Sequence, residues 1–382
     1  MTQCPIAAND SFLYDFQTNN QAGTFWYHSH LCEPWCFQRP LHTHSFTATQ
    51  YCDGLRGAFI LYDPDDPHRL LYDFDDGMFL TYFELYSQNR TDSLLLRVDD
   101  YYTSGLVSPR LLQLQMSIDE CSKAHRYHVP ARGLVDVIPT PYTLINGIGR
   151  YPDGPAVPLA VVKVKSGKRY RFRLIAMACD SSVAFSIDGH TLTIIEADGE
   201  NTAPLVVDSL RIYAGQRYSV VLTANQPVGN YWIRADPDGR GVPGFDGGRN
   251  SAILRYIGAP SAEPTTSQTP NNNPLRESNL HALTSPAAPG LPFVGGADVT
   301  LTINIDFDFN KFKFILNGAT FDPPTVPVLL QILSGAHSAQ DLLPPGVVYA
   351  FPPNKVIEIS IPGLPYSLAG PVGSRRYLVA EF

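Results

Sequence analysis

The chain is read as all-β and built from antiparallel sandwiches, on three observations. Pro and Gly are both abundant, at 33 and 29 of 382 residues, as in turn-rich chains of short strands. Short runs alternate apolar with polar residues, as in Arg169-Tyr170-Arg171-Phe172-Arg173-Leu174, and period 2 is the signature of a strand with one face buried. Turn dipeptides such as Asp188-Gly189 and Asp238-Gly239 separate these runs. Hydrophobic residues make up 44% of the chain, enough for large cores and too many for global disorder.

The elements follow in order. Phe25-Trp26-Tyr27-His28-Ser29-His30 reads as a strand of aromatic and polar residues. A second block holds strands expected at 169–174, 184–187, 192–196, 209–213, 218–222, 231–234 and 252–256. The stretch 259–278 is rich in Pro, Thr, Ser and Asn and reads as an interdomain linker. Beyond it, strands are expected over 299–307 and 312–316. Two stretches stand apart: 32–48, rich in Cys and His, and 75–124, of mixed polarity without a clear period.

The net charge of -8, with no long basic run, argues against nucleic acid and anionic membrane as partners. No apolar run reaches the length of a bilayer span. Residues 1–20 hold neither a cationic nor an apolar segment, so they do not read as a signal peptide.

His28 and His30 are the main chemical clue. Residues i and i+2 of a strand share a face, so two imidazoles can meet one metal cluster, and imidazole suits copper, zinc and iron. An isolated His-x-His is more often packing or surface, but the flanking residues change the odds. Gln21-Ala22-Gly23-Thr24-Phe25-Trp26-Tyr27-His28-Ser29-His30-Leu31 resembles the second copper motif of the fungal laccases, which are multicopper oxidases. Thr49-Gln50-Tyr51-Cys52-Asp53-Gly54-Leu55-Arg56-Gly57 resembles the segment that follows it in that family. Likenesses continue through Thr143-Leu144-Ile145-Asn146-Gly147, the 167–174 strand, Phe185-Ser186-Ile187-Asp188-Gly189-His190, Asn230-Tyr231-Trp232-Ile233-Arg234-Ala235 and residues 323–332.

The resemblance implies cupredoxin-like Greek-key sandwiches: a truncated first domain over 1–124, with insertions at 32–48 and 75–124; a second domain over 125–258; the linker 259–278; and a partial third domain over 279–382, with a tail from 363 that departs from the family. It implies copper in type 1, type 2 and type 3 centres, and one-electron oxidation of phenols or aromatic amines coupled to reduction of dioxygen to water. His28 and His30 match the pair that ligates the two type 3 coppers. Asp198, in Ile194-Ile195-Glu196-Ala197-Asp198, matches the acid that hydrogen-bonds the substrate and accepts its proton. Phe245 is a candidate lining residue of the same pocket, an ordinary core or loop aromatic being the bland alternative. Cys52 and Cys179 match a family disulfide, and Cys4 a half-cystine. The family also implies a secreted monomer that works in lignin degradation.

The departures matter as much. The His-Trp-His, His-Pro-x-His-Leu-His and His-Cys-His motifs of the family do not occur in the 382 residues, so the type 1 ligands and most cluster ligands are missing. The expectation is a chain inactive by itself, with a non-catalytic copper-binding or regulatory fragment as the alternative. Cys32, Cys36, His42 and His44 make a valid zinc donor set, although their spacing is not that of a zinc finger. The two insertions and the tail read more simply as translated non-coding sequence of a mis-assembled or alternatively spliced product. His190 and His281 are expected to be structural, and His68 and His337 to lie on the surface.

Overall fold

The computed structural model describes residues 9–19, 21–30, 55–75, 80–86, 142–150, 156–177, 182–237, 245–284, 293–308, 313–321, 326–335, 338–362 and 376–381, with residues 4, 6, 51, 289–291 and 324. They form two compact units, one within 18–30 and 47–284, the other within 1–17 and 285–382. The expected insertion 32–48, the expected boundary at 124/125, Cys52, Cys179, Cys32, Cys36, His42, His44 and His337 lie outside the described residues.

The larger unit begins with a two-stranded antiparallel ribbon. In it, β1 (Gly23–His28) pairs with β2 (Arg56–Leu61), placing His28 opposite Arg56. Next come β3 (Leu80–Tyr86), β4 (Tyr142–Ile145), β5 (Val161–Val164), β6 (Arg169–Ala176), β7 (Ser182–Ile187) and β8 (Leu192–Ala197). They are followed by β9 (Glu200–Val207), β10 (Ser209–Tyr213), β11 (Arg217–Thr223), β12 (Asn230–Pro237) and β13 (Ser251–Tyr256). One sheet runs β4-β3-β6-β11-β8-β9 and the other β10-β7-β12-β13-β5. Both are mixed, because β3 pairs parallel to β6 and β5 parallel to β13.

A single core joins the two sheets into a sandwich. Phe172, Leu174, Ile194, Val220 and Leu222 come from the first sheet, and Val164, Phe185, Ile187, Leu254 and Tyr256 from the second. These residues alternate along their strands, as pleated strands require. The all-β sandwich expected from the sequence holds. The expectation that β6 is only half-buried does not: its odd residues are covered as well, with Arg171 and Arg173 buried. The cover is the strap 62–75, whose aspartates meet the three arginines of the outer face. Asp73 pairs with Arg169 at 3.2 Å, Asp66 with Arg171 at 2.9 Å and Asp75 with Arg173 at 2.6 Å. Ion pairs with the strap cover the Arg171 and Arg173 part of that face, while the Arg169–Asp73 pair stays partly exposed.

The stretch 259–278 is laid along the second sheet and fastened to it. Thr266 donates its hydroxyl to Asp188, the Thr269 hydroxyl accepts the Gly189 N–H, and Asp208 accepts the N–H groups of Asn272 and Asn273. The hydroxyl and amide groups that read as linker composition are the groups that anchor it.

The smaller unit holds β14 (Val299–Thr302), β15 (Ile305–Asp308), β16 (Lys313–Leu316), β17 (Val356–Ile361) and β18 (Arg376–Glu381). The run expected over 299–307 is broken at residues 303–304 into two strands of different sheets. Two short helices, α1 (Val328–Leu333) and α2 (Ala339–Leu342), stand between β16 and β17. No helix among the described residues is long and apolar enough to cross a membrane.

Candidate functional site

Strand β1 positions the histidines. Trp26, His28 and His30 follow at i, i+2 and i+4, and their rings form a column along one face. Trp26 stacks on His28 at 3.9 Å between centroids with 14° between planes, and His28 meets His30 at 4.4 Å and 41°. Tyr51 presents its edge to both Trp26 and His28. His28 is half-buried and His30 exposed. Burial first, then the neighbouring His30, pulls the His28 imidazole below its ordinary range. That favours the neutral ring, the form that ligates a metal. Two imidazoles side by side fit copper as far as two donors go. Among the described residues, no set of three or more His, Cys, Asp or Glu converges to hold a metal ion.

Asp198 lies on the turn between β8 and β9. Asp198 and Gly199 both have positive φ, 52° and 92°, and they link the paired residues Ala197 and Glu200. A two-residue Asp-Gly loop with both φ positive is the hairpin connection whose twist suits the flanking strands. The carboxylate is about half exposed. Its Oδ1 accepts the Arg217 N–H at 2.8 Å and lies 3.3 Å from Arg217 Nη1. Among the described residues its Oδ2 accepts no hydrogen bond. One oxygen is therefore fixed and the other is open to a donor from outside, the arrangement a proton acceptor needs.

Phe245 is placed elsewhere, by the second sheet. Its ring packs edge-on to Trp232 at 4.8 Å, and the Arg234 guanidinium sits 3.9 Å from its centroid. Asp198 and Phe245 share no neighbour in these contacts. An open groove of about 580 Å³, lined by Arg69, Leu70, Tyr72, Asp73, Phe74, Lys168 and Arg169, includes neither of them.

Behind β1 lies a buried charge cluster that period-2 reading of the sequence did not find. Glu196 is 1% exposed. It accepts the Thr24 N–H at 2.6 Å and the Ser219 hydroxyl, and pairs with Arg171 at 2.5 Å. Arg173 donates to the Thr24 hydroxyl at 2.7 Å. Burial alone would raise the Glu196 carboxyl, but Arg171, Ser219, Thr24 and Arg173 together hold it below its ordinary range. Asp66 behaves in the same way: burial is outweighed by Tyr72, the His68 N–H and Arg171. His68, expected on the surface, is 2% exposed. It directly precedes the 3-10 turn Arg69–Leu71, where Asp66 accepts its backbone N–H at 2.8 Å. His190 is buried, as a structural histidine should be, between the Asp188 carbonyl and the Tyr256 hydroxyl, each at 2.7 Å. His281, also expected to be structural, is exposed. Cys4 is an exposed free thiol.

Comparison with known proteins bears on the family and the fold. One multicopper oxidase profile matches residues 123–259 and another matches residues 1–66. The chain is 49% identical over 363 residues to Laccase-3 of Trametes villosa, covering 95% of this chain and 64% of that protein. It is 48% identical over 372 residues to Laccase-2 of Pleurotus ostreatus, covering 97% and 58%. It therefore spans less than two thirds of the length of these relatives. Among solved structures its fold is similar to that of Fet3p, a multicopper oxidase that functions in iron import (TM-score 0.63, 23% identity, 95% of this chain and 58% of that one). It is similar too to the laccase from Botrytis aclada (TM-score 0.56, 24% identity, 94% and 57%). A paired His-x-His on an aromatic strand, a cross-sheet sandwich core and near-half identity to laccases over almost the whole chain place it together: this chain belongs to the multicopper oxidase family.

Proposed function

We propose that the chain supplies the His28–His30 pair of a type 3 copper site and the substrate acid, Asp198, of a laccase-type oxidase. Such an oxidase removes single electrons from phenols or aromatic amines and reduces dioxygen to water. The observation that carries this reading is the ring column at Trp26, His28 and His30. Bound copper would supply the one-electron redox chemistry. The chain's own residues do the rest. His28 and His30 hold the ion, and Trp26 fixes the His28 ring. The free Oδ2 of Asp198 accepts the hydrogen bond, then the proton, of a phenol O–H or arylamine N–H as the electron departs. Phe245 belongs to this reading more loosely, because its ring is already committed to Arg234 and Trp232. A Cys52–Cys179 disulfide, a secreted location and a monomeric state complete the proposal on family likeness.

A second reading, a copper-binding chain without turnover, is favoured by the donor count among the described residues. Both readings require copper at His28 and His30. Titration with Cu²⁺ is expected to show binding that the His28→Ala, His30→Ala double variant loses and the His42→Ala, His44→Ala variant keeps. The reverse result would move the metal to the 32–48 segment and overturn the assignment. Oxygen uptake with 2,6-dimethoxyphenol then separates the two readings: uptake supports the oxidase, and its absence from copper-loaded chain supports the binding protein. The disulfide is checked by mapping non-reduced peptides, where free Cys52 and Cys179 thiols would refute it.

A further inference from the structure

Arg217, the first residue of β11, meets Asp198 through both its backbone and its side chain. Its backbone N–H donates to Asp198 Oδ1 at 2.8 Å, and its carbonyl accepts the Asp198 N–H at 2.9 Å. Its guanidinium adds a second contact to Oδ1 at 3.3 Å through Nη1, and Nη2 donates to the Asp198 carbonyl at 3.1 Å. The same side chain reaches strand β1, where Nε donates to the Thr24 carbonyl at 3.0 Å and the guanidinium lies 5.6 Å from the Phe25 ring centroid. Nη1 also donates to the Gly215 carbonyl at 3.0 Å. A planar fork with fixed donor directions can serve these acceptors at once, whereas a lysine ammonium at the end of a flexible stem cannot.

The turn is pressed against the same strand. A Cβ on Gly199 would come within 2.8 Å of the Phe25 ring, and one on Gly23 would come within 2.8 Å of Gly199 Cα. Asp198 itself sits at positive φ, a conformation that Asp tolerates but that its surroundings must hold. Strand β1 thus ends at His28, two residues before His30, and at Thr24 is tied by Arg217 to the turn that carries the acid.

We propose that Arg217 is a positioning residue for Asp198: it fixes Oδ1, leaves Oδ2 presented, and locks the acid's turn to the strand of His28 and His30. The inference rests on the reading of Asp198 as the group that recognises a phenol O–H. A purely structural Arg217 would affect folding without affecting recognition of that hydrogen, so the test compares two probes. One is 2,6-dimethoxyphenol. The other is 1,2,3-trimethoxybenzene, the same ring with the O–H methylated. Binding of each to the full chain is measured by titration, alongside the melting temperature.

The parent chain is expected to prefer the phenol by about tenfold, the worth of one hydrogen bond to a charged group. Asp198→Ala removes the preference. Arg217→Met, which keeps an apolar stem against Phe25, is expected to remove most of it, and Arg217→Lys to restore part. The Asp198→Ala, Arg217→Met double variant should lose no more than Asp198→Ala alone, because the two residues act as one unit. If Arg217→Met and Arg217→Lys both keep the parent preference while Asp198→Ala abolishes it, the positioning role is wrong and the reading of Asp198 stands. If Asp198→Ala keeps the preference, the reading of Asp198 falls and the role of Arg217 with it.

Discussion

The Glu196→Ala protein is expected to be about 3–5 kcal/mol less stable than the parent, a large share of the roughly 5–15 kcal/mol that holds a domain folded. Removing the carboxylate leaves Arg171 and Arg173, whose side chains are 6% and 3% exposed, with too little negative charge around them. It also orphans the Thr24 N–H and leaves the Ser219 hydroxyl only its longer contact with the Thr24 hydroxyl. Urea unfolding measures the loss. A loss below about 1 kcal/mol would show that Asp66 and Asp75 satisfy both arginines unaided.

The same cluster sets the pH dependence. Glu196 and Asp66 are held below their unfolded values of 4.5 and 3.8. Their contribution is therefore complete above those values and is lost as pH falls through the lower folded ones. His68 and His190 are also lowered, first by burial, from 6.5. The unfolded chain binds more protons at these sites as well, so stability rises with pH up to about that value. Asp236 opposes, since burial raises its carboxyl. The midpoint urea concentration is expected to rise between about pH 3 and pH 7, and the acid part of that rise to flatten in Glu196→Ala. An unchanged acid slope in the variant would remove Glu196 from the account.

The alternation of Arg169 to Leu174 revealed a strand and its inner face. It could not reveal what covers the other face, because Asp66, Asp73 and Asp75 stand about a hundred residues earlier and meet the arginines only in space. His68 was misplaced for the same reason: a histidine among Asp and Pro residues reads as surface until the strap is seen lying on the sheet. Strand β9 was hidden by its polar start and by Pro204, although the Asp198-Gly199 pair before it is a strong hairpin signal. The segment of α1 carried a family likeness but no helical period to give it away over six residues. The pairing of His28 with His30 was legible because i and i+2 of an extended segment share a face; the stacking of Trp26 on His28 was not. The grip of Arg217 on Asp198 was not, since it joins β11 to a turn 19 residues away and to β1 across the fold.

Asp188→Ala is expected to cost a similar 3–5 kcal/mol by a separate route. Asp188 and Arg234 form a two-pronged pair at 2.7 and 2.9 Å, with side chains 1% and 4% exposed. Paired donors of this geometry are stronger than a single ionic contact, and the lost partner would leave a buried guanidinium against the Phe245 ring. Asp188 also receives the Thr266 hydroxyl at 2.7 Å, so its loss should loosen the 259–278 stretch locally. Hydrogen exchange is expected to rise around residues 263–271 more than in the core strands β6 and β11. The pair can be separated from simple packing by a second change. Removing both charges in Asp188→Ala, Arg234→Met leaves no orphaned ion, so the double variant should recover part of the stability lost by Asp188→Ala alone. If the double variant is less stable than Asp188→Ala by the full cost of losing Arg234, the arginine is held by its stacking on Phe245 and its packing, and the ion pair is not what secures this end of the sandwich.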